Sequence, residues 1–186
     1  MNPLGRLLQH HTPEIVRREA LAQLFRAAAE AFQCDAPPLG GLSSDERLHR
    51  FALFTRDQVA GAHGRAPLPG RDLEAVRERL YRNAYTLGRR TGRLLSVRDV
   101  RDTMAVGRVL YRILDIDFQG DARGDVVISH CYFSGFYSGP VCQVMSAMDW
   151  GLLAGLAGGG QLVFSTRITE GLPCCRAHFA MGGDKE

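Results

Sequence analysis

The stretch "DVVISHCYFSGFYSGPVCQVMSAMDWGLLAGLAGGG", residues 125–160, changes its periodicity halfway, and that change decides the fold. The first part is rich in β-branched and aromatic residues, which predicts a strand over "DVVISHCYF". Strict alternation puts Val127, Cys131 and Phe133 on one face and Ile128 and His130 on the other. The second part predicts a helix. Ser138 stands at the cap, Pro140 suits the first turn, and the glycines from Gly158 end it. The two cysteines therefore have different settings. Cys131 ends a strand, whereas Cys142 opens a helix, where the N-terminal dipole favours a thiolate.

Upstream, "ILDIDF" and the turn-rich "QGDARG" complete an antiparallel hairpin with the first strand. Downstream, "QLVFSTRI" and "CCRAHFAM" read as two more strands joined by "TEGLP". Before them the chain reads helical. Thr12-Pro13 offers a cap and a first-turn proline for a helix whose Leu21, Leu24, Phe25, Ala28 and Phe32 recur at helical spacing. "DAPPLGG" breaks it. Ser43 with Glu46 makes a capping-box signature for a second helix carrying Leu48, Phe51, Ala52 and Val59. "GRAPLPG" (64–70) breaks the chain again, a third helix carries Leu73, Val76, Leu80, Ala84 and Leu87, and a fourth starts after Asp99 and runs to about Tyr111. The expected fold is α+β: N-terminal helices packed with a C-terminal antiparallel sheet interrupted by one helix, strand-strand-helix-strand-strand. One domain is expected over 1–186, with a helical half (1–111), a sheet-containing half (112–181) and a tail (182–186).

Composition narrows the function classes. With 45% hydrophobic and 23% charged residues, the chain has globular rather than disordered character. The net charge of +3 is almost all arginine, since Lys185 is the only lysine. The arginines interleave with acids, as in "RDLEAVRERLYR", which reads as a solvated helix face and argues against nucleic acid. Coding bias in a GC-rich genome gives the same arginine excess. Residues 1–33 lack a secretory-signal pattern and every apolar run is too short to span a membrane, so a cytoplasmic, non-membrane protein is expected. Five cysteines, two of them adjacent (Cys174, Cys175), favour thiols over a disulfide framework. His10, His11, His49 and His63 have no partners at ligand spacing and read as surface.

The chemistry concentrates in the final third. Cys142, Ser146 and Asp149 share one helix face. Cys142 and Asp149 lie about 10 Å apart along the axis, too far to bind one metal ion together. Asp149 stands among Met145, Met148, Trp150 and Leu152, so a buried carboxyl there needs a partner or a raised pKa, and is a candidate acid/base. On the last strand Cys175, Ala177 and Phe179 take one face, and Cys174, Arg176 and His178 the other. A nucleophilic set could come from Cys131 or Cys175, His130 or His178, and Asp149. No cofactor is required. Zinc or another divalent metal stays open, with Cys142, Cys174 and His178 as candidate ligands, although no C-x-x-C pair is present.

The run from "VVISHCYF" through "VMSAMDWG" to "LVFSTRITEGLPCCRAHF" resembles the L-2-amino-thiazoline-4-carboxylic acid hydrolase family. The resemblance covers Arg82 to Phe179 and is specific from Val126 onward. It places the family's strand-end cysteine at Cys131, its helix aspartate at Asp149 and its terminal cysteine at Cys175. Ser146 stands where the family often has a cysteine. The resemblance implies hydrolytic opening of a small cyclic amidine. In that reaction Cys131, Cys175 or an activated water is the nucleophile, Asp149 the acid/base, Arg167 the anchor for a substrate carboxylate, and His130 and Ser146 further substrate contacts. More distantly the strand pairing is similar to 4-vinyl reductase-type ligand-binding domains, which implies the alternative, a non-catalytic small-molecule-binding or sensing domain, in some cases with metal. The zinc-ligand cysteine of that group has no counterpart in "FSTRITEG". The expected partner is a small molecule, with self-association left open.

Overall fold

The computed structural model describes residues 1–61, 70 and 72–182. His63, most of the break at 64–70 and residues 183–186 of the expected tail lie outside the described residues. Among the described residues six α-helices, α1 (Pro3–His10), α2 (Glu14–Phe32), α3 (Ser44–Ala60), α4 (Leu73–Leu95), α5 (Val100–Ile113) and α6 (Gly139–Ala157), accompany four strands, β1 (Ile116–Gly120), β2 (Asp125–Cys131), β3 (Gln161–Thr166) and β4 (Cys175–Ala180). The sheet is antiparallel in the order β1-β2-β4-β3, with α6 inserted between β2 and β3. This is the α+β arrangement the periodicities indicate. None of the described helices is long and apolar enough to cross a membrane.

Local chemistry explains most boundaries. The Ser43–Glu46 capping box opens α3 as expected. Asp99 caps α5 by accepting from the Asp102 N–H. The hairpin turn closes at Gly124, whose φ of +90° favours glycine and where a Cβ would meet the Phe179 carbonyl at 2.0 Å. Two features depart from the sequence reading. Thr12 does not cap α2; its hydroxyl turns back to the Leu8 carbonyl, and Pro13 is the cap residue. α1 is an additional helix, capped by Asn2 and tied down through Asn2 to the Leu94 and Leu95 carbonyls. Eight residues are too few to hold a helix without such contacts.

Among the described residues only one face of the sheet is covered. Along β4 burial alternates strictly, with Cys175, Ala177 and Phe179 inward and Arg176 and His178 outward, as expected. α6 lies within the protein and packs along α4, backbone against backbone. A Cβ on Gly88 would meet the Leu152 carbonyl at 2.2 Å, and one on Gly155 would meet the Tyr85 carbonyl at 2.2 Å. This close approach fixes the position of α6, and with it the side chains that α6 projects towards the sheet.

Candidate functional site

Two β-bulges shape the site. Asp117 and Phe118 of β1 pair with His130 and Ile128 of β2, leaving Ser129 as an extra residue. The alternation is reset there. Ile128 is buried, Ser129 and His130 are both exposed, and Cys131 turns inward with Ile128, not outward with Val127. The strict alternation expected for β2 is thereby corrected. The second bulge is Ser165, because Phe164 and Thr166 of β3 pair with the adjacent Ala177 and Arg176 of β4. Beyond it Arg167 folds over the Phe164 ring at 4.7 Å and is only 17% exposed, so it is not a solvated strand residue.

Between α6, the sheet's inner face, α5 and α3 lies a cavity of about 90 Å³. Cys131, Cys142, Ser146, Asp149 and Cys175 all line it, with Tyr111 and Tyr137. The rest of its wall is apolar, including Phe51, Ile128, Phe133, Met145, Met148 and Phe164. His130 does not join them; it pairs with Asp115 at 3.6 Å on the exposed side. The candidate metal ligands are also dispersed. Cys142 faces the cavity, Cys174 lies on the turn before β4, and His178 pairs with Asp125 at 2.9 Å on the open face of the sheet. Among the described residues no group of three or more His, Cys, Asp or Glu is placed to hold a metal ion.

Asp149 is the polar pole of the cavity. The Tyr111 hydroxyl donates to its Oδ1 at 2.8 Å, and Tyr111 is itself stacked on Phe118 of β1. Burial pushes the Asp149 carboxyl up to about 6, against the opposing pull of the Tyr111 hydrogen bond and the Arg167 charge. Asp149 keeps some accessible surface because it lines the cavity. Tyr111, missed at the level of sequence, is the partner that a buried carboxyl requires. Its only sequence signal is a phenol on an otherwise apolar helix stripe. Tyr137 has its own partner, the Thr55 hydroxyl at 2.5 Å.

The three cavity thiols are held in their neutral form. Burial pushes Cys131 up to about 12 and Cys142 up to about 11, and it raises Cys175 as well. The sulfur of Cys175 accepts the Ile168 N–H at 3.4 Å. For Cys142 burial outweighs the Thr169 hydroxyl and the Arg167 charge, which favour the thiolate, so the reactive helix-opening thiol expected from the sequence is not formed. No disulfide joins any of the five cysteines.

Compared with known proteins, the chain matches no family model, no curated protein and no solved structure.

Proposed function

We propose that the cavity binds a small, largely apolar heterocycle, with a ring nitrogen or amidine edge against Asp149 and a carboxylate directed to Arg167 at the rim. The observation that supports this most is the convergence of an Asp149–Tyr111 pair and three protonated thiols on one apolar-walled space. A polar pole inside an apolar cavity is the usual make-up of a small-molecule site. At about 90 Å³ the space is smaller than the roughly 150 Å³ that holds a benzene ring, so a ring needs the flexible Met145 and Met148 to yield. The resemblance to the thiazoline-carboxylate hydrolases favours the same ligand chemistry.

Binding without a thiol nucleophile is the primary reading, because neutral thiols are poor nucleophiles. The position of Asp149 supports a second reading, hydrolysis. A carboxyl near 6 exchanges its proton close to neutral pH. It could deprotonate a water whose oxygen bonds to the C=N carbon and pass that proton to the ring nitrogen. The tetrahedral carbon then collapses to C=O, the ring C–S bond breaks, and the hydroxyl proton goes to the departing sulfur. Incubation with 2-aminothiazoline-4-carboxylate separates the two. Recovery of the intact ring after saturable binding supports the binding domain, ring-opened product supports the hydrolase, and no binding removes both.

A further inference from the structure

A second, smaller cavity of about 60 Å³ adjoins the Asp149 cavity where α2, α4, α5 and α6 meet. Leu24, Leu114 and Leu152 line both spaces, so these three side chains are the partition between them. The partition is soft. Leu24 stands on α2, Leu114 is the cap residue that ends α5 and Leu152 stands on α6, and a leucine can change rotamer without moving its backbone. On the far side Leu87, Leu110 and Ile113 continue an apolar wall. Among the described residues Gln23 and Thr91 are the only polar side chains lining this second space, and neither ionises. The Gln23 amide donates to Glu19 at 3.1 Å on the exposed side of α2. Gln23 and Leu87 also line the open groove between α2 and α4, so the smaller cavity lies between the Asp149 cavity and the surface.

We propose that the two cavities are one ligand site in two chambers, the second being a subsite for an unbranched alkyl arm on the ligand whose basic head meets Asp149. This subsite rests on the Asp149 reading and extends it from a bare ring to a head with a tail. Neither space alone reaches the roughly 150 Å³ that holds a benzene ring, and joined they match it. The polarity of the walls sets the order of the ligand's parts. The carboxyl of Asp149 lies in the first chamber, whereas a charged arm in the second would be buried without a partner. An unbranched chain is the shape that passes between three leucines once one of them turns.

Methyl NMR of the full chain, titrated with acetamidine, butyramidine and hexanamidine, tests the arm. Acetamidine carries the head alone and should shift the Met145 and Met148 methyls of the first chamber. The longer amidines should also shift Ile113, which lines only the second. Affinity should rise about threefold to fourfold per methylene until the chamber is filled. Ala20→Leu narrows the second chamber from α2 and should flatten that rise. Leu110→Phe narrows it from α5, so the test survives if one variant fails to fold. The arm is overturned, and the head reading stands, if acetamidine binds and the longer amidines bind no tighter, or if both folded variants keep the full rise. If no amidine binds, the head reading fails and the arm falls with it.

Discussion

Asp149 carries its burden of burial in its ionised form. A carboxyl raised from 3.8 to about 6 by folding makes that form about 3 kcal/mol less favourable in the native state than in the unfolded chain. The native state holds the proton more tightly, so this group's contribution is fully present below pH 3.8 and is lost as pH rises through about 6. Asp149→Asn keeps an acceptor for Tyr111 and removes the titration. Denaturant unfolding from pH 4 to pH 8 should show the parent losing stability relative to this variant, with a gap of about 1–3 kcal/mol at pH 8. Parallel profiles would mean that the carboxyl is not buried as described. The thiols follow the same physics. Native alkylation followed by mass mapping should modify the exposed Cys34 first and spare Cys131, Cys142 and Cys175 at pH 7.5, because only thiolates react. Early labelling of Cys131 or Cys175 would restore the thiol nucleophile.

At the scale of elements, the helices and strands were legible because each carries a clean period and a chemical stop. The capping box at Ser43, the glycines after α6 and the alternation of β4 all appear as read. The bulges at Ser129 and Ser165 were not legible. A bulge is one unpaired residue, and its position depends on the partner strand, which no local pattern encodes. Both bulges matter for the site, since one turns Cys131 inward and the other brings Arg167 back over Phe164. The glycines of α6 had a second use that composition hid. Gly158 ends the helix, whereas Gly151 and Gly155 admit the backbone of α4. Gly155→Ala should lower stability by about 1–3 kcal/mol in chemical denaturation, through forced separation of α4 and α6. A change below a few tenths would show that the two helices are free to part.

For the whole molecule, the helical half and the sheet half enclose one cavity, and residues from both complete it. Alternation grouped Cys131 with Val127 and not with the inward Ile128, whereas the shared helix face of Ser146 and Asp149 and the inward place of Cys175 on β4 were readable from the final third alone. Tyr111 and Phe51 were not, because they come from helices whose position against the sheet is set by tertiary packing. We propose that Asp149 and the apolar walls select a small ring with a basic edge. Isothermal titration calorimetry with 2-aminothiazoline-4-carboxylate, comparing the parent with Asp149→Asn at pH 7, tests it most directly. We expect saturable one-to-one binding to the parent and a loss of about tenfold or more in the variant, the scale of one charge-assisted hydrogen bond. Equal affinity in both proteins, or no binding to either, would contradict it.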